Sequence, residues 1–133
     1  MSRKSPDDAS ACPCGSSGDY AACCGRFVDG GEAAVTAEQL MRSRYSAFAL
    51  GKADYLLATW HPATRPSRVR LDAGHRWIGL RIVATQAGGE ADDSGTVEFV
   101  ARFKEGGRGH RLQELSRFEK IDGRWYYRDG DHR

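Results

Sequence analysis

The chain has no cysteine outside a window of thirteen residues, no apolar run approaching the roughly 20 residues of a membrane span, and a formal net charge of only +2. Each absence excludes something. Without an apolar stretch no spanning helix is expected. Residues Met1 to Ala11 (MSRKSPDDASA) hold no signal-peptide core, so the expected compartment is the cytoplasm. Near-neutral charge argues against a dedicated nucleic-acid binder, which carries a clearer basic footprint. There is no internal repeat, low-complexity tract or coiled-coil heptad. No nucleophile elbow, phosphate-cradling glycine loop or paired-histidine metal motif appears, so hydrolase, nucleotide-binding and histidine-metal chemistries have no signature. What remains is 133 residues, 40 % hydrophobic, enough for one domain with a modest core.

The cysteines are therefore the feature with the most chemistry. Cys12-Pro13-Cys14 is followed by Cys23-Cys24, with Gly15-Ser16-Ser17-Gly18-Asp19 between them to turn the chain back. Four thiolates at this spacing form the ligand set of a closed tetrahedral zinc site. Two disulfides are the rival reading. Adjacent Cys23 and Cys24 would have to pair across to Cys12 and Cys14, a staple suited to small secreted domains. A cytoplasmic chain with clustered cysteines more often holds metal. Four protein ligands leave no open coordination position, so a structural ion is expected. Four thiolates and one divalent ion together remove two charges, bringing the loaded chain to about zero net charge.

Cys12-Pro13-Cys14-Gly15-Ser16, Tyr20 and Cys23-Cys24-Gly25 resemble the SEC-C motif, a small zinc knuckle. The run Ala37-Glu38-Gln39-Leu40-Met41-Arg42-Ser43-Arg44-Tyr45-Ser46-Ala47-Phe48 resembles the YchJ family. So do Tyr55-Leu56, Thr59-Trp60-His61-Pro62, Trp77-Ile78-Gly79-Leu80 and Leu115-Ser116-Arg117-Phe118, in order from about residue 12 to 130. The resemblance implies a SEC-C knuckle joined to an α+β domain of the nuclear-transport-factor-2-like (NTF2-like, or cystatin-like) type, in which helices pack on a curved antiparallel sheet to form a cone. It also implies a protein partner in export or translation, such as an export chaperone or the ribosome. Two departures stand out. The lysines usual between the cysteine pairs are replaced by Ser17, Gly18, Asp19, Ala21 and Ala22, and the chain ends Asp129-Gly130-Asp131-His132-Arg133 without a second knuckle.

The residues themselves divide the chain into a disordered start (1–11), a knuckle (12–30) and an α+β body (31–133). Thr36 and Gln39 make a capping box. Leu40, Met41, Tyr45 and Phe48 then recur at helical spacing as one apolar stripe, closed by Gly51. A second helix is expected over about 53–60, ended by Pro62. Alternating strands follow over 76–87, 96–104, 111–121 and 124–128, with Asp122-Gly123 as a two-residue hairpin turn. Helices followed by an antiparallel meander give α+β by an independent route. The body, with its own stripe and sheet, is expected to stay folded if the metal is stripped.

A cone of this kind has a wide end able to take a ligand. Leu112, Glu114, Ser116 and Phe118 share a strand face, so an inward Leu112 and Phe118 carry the polar pair inside. Tyr45, Trp60, His61, Arg102, Trp125 and Tyr127 are the candidates to line the same space. Glu114 with His61 is a candidate acid–base pair. Glu114 bonded to Arg44 or to a backbone amide is the plainer alternative. His75, His110 and His132 read as solvated rather than ligating. The segment 61–81 carries Arg65, Arg68, Arg70, Arg76 and Arg81 against Asp72, a basic stretch open to weak RNA or phosphate contact, or simply to solvent. Two functional classes follow. The first is a zinc-stabilised, non-enzymatic adaptor presenting Pro13, Tyr20, Arg26 and Phe27 to a protein partner. The alternative is a small-ligand binder or enzyme using the cone.

Overall fold

The structure is a computed structural model that describes residues 11–16 and 18–133; the stretch 1–10, expected to be disordered, and Ser17 lie outside the described residues. A 3-10 turn (Tyr20–Ala22) and a short helix α1 (Gly25–Val28) complete the N-terminal segment. Then come α2 (Ala37–Leu50), α3 (Ala53–Ala58) and four strands, β1 (Arg76–Ala87), β2 (Ser94–Glu105), β3 (Arg108–Ile121) and β4 (Arg124–His132). The strands form one antiparallel sheet in the order β1-β2-β3-β4. This is the expected α+β cone. The second helix stops two residues short of the expected range, and the last strand runs four residues further.

Local chemistry accounts for the boundaries. Thr36 is extended and accepts the Gln39 N–H at 3.1 Å, while Gln39 Oε1 accepts the Val35 N–H at 2.9 Å, one residue before the partner a capping box would use. Gly51 closes α2 in the left-handed region at φ 76°. Asp122 and Gly123 both have positive φ, 50° and 81°, as a type I′ turn demands.

Helix α2 is not the one-striped helix its apolar residues suggest. Ser43, Arg44 and Ser46 are buried along with Leu40, Met41, Tyr45 and Ala47. At about 100° per residue the helix divides into three faces. Arg42 and Ser46 meet the knuckle: Arg42 Nη1 donates to Cys14 O at 3.0 Å, and Ser46 Oγ lies 3.5 Å from Cys12 Sγ. Leu40 and Ser43 meet α3: Ser43 Oγ donates to Leu40 O and lies 2.7 Å from the Tyr55 hydroxyl. Met41, Arg44, Tyr45 and Phe48 look into the sheet. Periodicity counts only apolar residues, so it saw one face of three.

The sheet curves through bulges. β1 is irregular at Trp77/Gly79 and Ile82/Ala84, and β4 carries an extra residue where Arg117/Phe118 oppose Asp129/Tyr127. The β4 bulge has a second effect. Tyr127 pairs with Phe118 before it and Gly130 with Ser116 after it, so the inward residues change from odd to even. Strict alternation cannot foresee that change.

Candidate functional site

Cys12, Cys14 and Cys24 are buried, Cys23 is half-buried, and all four are free thiols. Their sulfurs lie within 4.8 Å of one another, with Cys14 and Cys23 Sγ at 3.6 Å. A tetrahedral ion with sulfur bonds of about 2.3 Å places its ligands about 3.8 Å apart, so the set fits a single ion. The knuckle backbone builds the cluster. Cys12 N–H donates to Gly18 O at 2.8 Å, Gly15 N–H to Cys12 O at 3.1 Å and Cys23 N–H to Tyr20 O at 3.0 Å. Gly25 has no room for a side chain, because a Cβ would stand 2.7 Å from Tyr20 O. Among the described residues, hydroxyls meet the sulfurs: Ser16 Oγ is 3.0 Å from Cys23 Sγ, and Ser46 Oγ approaches Cys12.

Alone, the four thiols cannot all ionise. Hydrogen bonds from Cys12 and Cys24 pull the Cys14 thiol far below its ordinary range, against burial. Hydrogen bonds to Cys12 and Cys14, followed by burial, push Cys24 far up. One thiolate is sheltered at its neighbours' expense, which a divalent cation reverses.

The knuckle faces inward. Tyr20 and Phe27, expected on a docking surface, are only 1 % and 5 % exposed and belong to the same buried cluster as Leu40, Met41 and Val97. The Tyr20 hydroxyl donates to Asp29 at 3.0 Å. Of the four expected contact residues, Arg26 is exposed and Pro13 half-buried.

The second site is a cavity of about 280 Å³ between α2 and the inner face of the sheet. Five of the proposed pocket residues line it: Tyr45, Trp60, Glu114, Ser116 and Tyr127. Three do not. Arg102 alternates to the outer, exposed face of β2. Trp125 is inward but near the turn end, where its Nε1 donates to Val35 O at 3.2 Å beside a separate cleft of about 340 Å³. His61 pairs with Glu119, Nε2 to Oε2 at 2.8 Å, so the suggested Glu114–His61 pair is not formed. Sequence reasoning missed Arg44 as a lining residue. The sequence offers it only as a bonding partner for Glu114, and it is 5 % exposed.

Arg44 Nη1 donates to Leu56 O and to Thr59 Oγ1, both at 2.7 Å. Its guanidinium carbon packs against both rings of the edge-on Trp60–Tyr127 pair, 5.0 Å from the Trp60 centroid and 4.7 Å from that of Tyr127. Burial pulls its pKa down to about 10. Across the cavity Glu114 Oε2 accepts from the Ser116 hydroxyl and from the Tyr127 hydroxyl, the latter at 3.3 Å. Arg44 reaches the carboxylate by field and not by the expected direct bond. Tyr127, whose phenol is pushed up by burial and then by Glu114, stands between the two charges. Gly130 lies against the carboxylate: a Cβ there would come within 2.6 Å of Glu114 Cδ and Oε2. Trp60 docks by a parallel bridge to Tyr127, with His61 N–H donating to Tyr127 O at 2.7 Å.

The remaining sequence candidates scatter. Arg65 folds back onto Trp60 O at 3.1 and 2.8 Å, Arg68 and Arg70 are exposed, and Arg76 and Arg81 belong to β1. His75 is not simply solvated. Its Nε2 sits 3.3 Å from Asp72 and 3.2 Å from Glu105, and its ring lies 4.4 Å from Phe103, which stacks on His110. Among the described residues no helix is long and apolar enough to cross a membrane.

Fold and site together define an NTF2-like α+β cone carrying a four-thiol cluster that can hold a metal. Comparison places the chain within that class. Residues 36–130 match the family described as YchJ, middle NTF2-like domain, and the chain belongs to the YchJ-like family. It is 59 % identical over 125 residues to a UPF0225 protein of Chromobacterium violaceum, spanning 90 % of this chain and 91 % of that one. A UPF0225 protein of Streptomyces coelicolor is 56 % identical over 120 residues, 90 % and 94 % of the two chains. The fold is similar to the solution structure of a SEC-C motif protein from Rhodopseudomonas palustris, with TM-score 0.79, 36 % identity, and 92 % and 98 % of the two chains covered. It is also similar to the crystal structure of a SEC-C motif protein from Psychrobacter arcticus, with TM-score 0.78, 32 % identity, and 92 % and 82 % covered.

Proposed function

We propose that this protein binds a small, largely apolar molecule in its cone and that its four thiols hold a structural zinc ion bracing α2. The observation that carries the reading is the cavity. About 280 Å³ of space lies beside a buried guanidinium on one wall and a carboxylate on another. A void of that size is far beyond a few waters and falls just below the range of drug-sized sites. Apolar lining with a few convergent polar groups is the usual anatomy of a ligand pocket. Zinc suits an all-sulfur closed set; when bound it supplies a fixed positive centre and no reactive position. Free thiols persist in a reducing cytoplasm, which is the compartment this reading assumes. The adaptor reading, with an export chaperone or the ribosome as partner, loses support because Tyr20 and Phe27 are spent on the core.

The test is a fragment screen on the zinc-loaded chain by NMR. Small apolar fragments are expected to shift the resonances of Tyr45, Trp77 and Phe118 and to leave the outer face of β2 unchanged. Shifts scattered over the surface, or none, would overturn the ligand reading.

A further inference from the structure

The cavity's polar groups are specific about what they lack. Arg44 is 5 % exposed, and Nη1 has both its hydrogens engaged by Leu56 O and Thr59 Oγ1. Among the described residues nothing accepts from its Nε and Nη2 hydrogens. Those atoms are also not sealed in protein, since among the described residues Trp60 Nε1 is the one buried side-chain nitrogen or oxygen left without a partner. The open side of the guanidinium therefore meets the cavity, whose lining includes Arg44. A buried cation with no anion against it is costly, and an opposite charge recovers that cost.

Glu114 has the complementary lack. Ser116 and Tyr127 both donate to Oε2, and no described residue donates to Oε1. Its position is built: the β4 bulge turns Gly130 inward, and only a residue without a side chain leaves room for the carboxylate. Tyr127 separates the two charges, its ring under Arg44 and its hydroxyl on Glu114. The cavity lining thus holds a cation and an anion that do not satisfy each other, and their charges sum to zero. The rest of the cavity is aromatic and aliphatic, with Phe48, Trp77, Phe99 and Phe118.

Resting on the cavity as a ligand site, we infer that its occupant is a small zwitterion with an apolar or aromatic body, the chemistry of a free apolar α-amino acid. The carboxylate meets the Arg44 side, the ammonium meets Glu114, and the body fills the aromatic end. A body plus head of about a dozen non-hydrogen atoms suits a pocket just below drug size. A monoanion leaves the half-buried Glu114 carboxylate without its counter-charge, and a monocation leaves the buried Arg44 guanidinium unpaired.

The experiment is isothermal titration of the zinc-loaded full chain with L-phenylalanine, 3-phenylpropionate, which lacks the ammonium, and phenethylamine, which lacks the carboxylate. L-Phenylalanine is expected to bind about ten- to a hundredfold more tightly than either. Equal binding of 3-phenylpropionate or phenethylamine overturns the zwitterion. If none of the three binds while a neutral fragment such as indole still shifts cavity resonances, the zwitterion falls and the ligand site stands; if indole also fails, both fall. Two variants attack the ammonium subsite differently. Glu114→Gln removes the charge, and Gly130→Ala leaves the charge but displaces it. Each is expected to weaken L-phenylalanine about tenfold or more and to leave 3-phenylpropionate within about twofold. Unchanged L-phenylalanine affinity in a folded variant of either kind overturns the assignment of Glu114.

Discussion

The thiol cluster and the cavity share helix α2 and differ in how completely they are satisfied. On the knuckle side nearly every group has a partner inside the protein: Arg42 meets Cys14 O, Ser46 and Ser16 meet sulfur, and Tyr20 meets Asp29. One ion would close the remaining account. On the cavity side a buried cation and a carboxylate oxygen are left over around open space. A site whose groups are saturated by one internal ion serves the fold; a site with leftover groups of both signs serves something from outside. Three-sided α2 couples the two, because the residues gripping the knuckle and those lining the cavity alternate along one helix.

Removing the metal should have the largest effect. Cys12, Cys14, Cys24, Tyr20 and Phe27 belong to one buried cluster with the helix and sheet. The cost is expected to be on the order of 5 kcal/mol or more, a large share of an ordinary domain's stability. Chelation or Cys24→Ser should therefore lower the far-ultraviolet and near-ultraviolet signals together. A body that keeps its thermal transition while the knuckle alone melts would break the coupling and restore the separable body expected from the apolar stripe.

Alkaline pH probes the tyrosines around α2. Burial raises Tyr45 to about 12 and also raises Tyr55 and Tyr127. A phenol held protonated in the fold contributes its full stability below the unfolded value near 10. That stability drains away as pH climbs through the folded value, because the unfolded chain sheds its proton first. Arg44 acts oppositely, since its folded value of about 10 lies below 12.5 and the fold gains as pH rises between them. Three groups outweigh one, so the unfolding free energy from denaturant titration should fall between pH 9 and 11 by roughly a few kcal/mol, with the midpoint falling alongside it. Phenolate absorbance should lag behind that of a free tyrosine. A flat midpoint would mean the cavity side is wetter than its burial implies.

Sequence patterns carried much of this. The cysteine spacing marked the metal candidates, and the Asp122-Gly123 turn and strand alternation marked the sheet. Glu114 and Ser116 were placed inside because Leu112 and Phe118 had to be. Arg44 was foreseen only as a bonding partner for Glu114 and not as a lining residue, because Leu56 O, Thr59, Trp60 and Tyr127 hold it beside the cavity, contacts that spacing along one helix does not contain. Gly130 was invisible for another reason: a one-residue bulge reverses which residues face inward, and no alternation rule contains it. His61, Arg102 and Trp125 went astray because sharing a strand or neighbourhood does not fix the end or face of the sheet.

A smaller effect separates the regions by design. Ala101 is 1 % exposed and borders the cavity. Ala101→Val adds apolar atoms to empty space and should stabilise the fold by about 1 kcal/mol while weakening any cavity ligand. Metal content should not change. A destabilised protein would show that the space around Ala101 is already filled, and the contrast between a closed and an open side would lose its basis.

The smallest effect supplies the control that belongs to neither region. Ala87 sits at φ 52°, followed by Gly88 at φ 77°, in the β1–β2 connection. A left-handed alanine costs roughly 1 kcal/mol, and glycine escapes most of that while adding freedom to the unfolded chain. Ala87→Gly is therefore expected to gain about 0.5 kcal/mol in denaturant unfolding, with metal stoichiometry and fragment binding both unaltered. The connection meets α2 at its first turn, where Ala37 N–H donates to Gly88 O at 2.9 Å. If relaxing it nonetheless shifts metal or fragment binding, the helix transmits strain along its whole length, and thiols and cavity are one device rather than two sites on a common support.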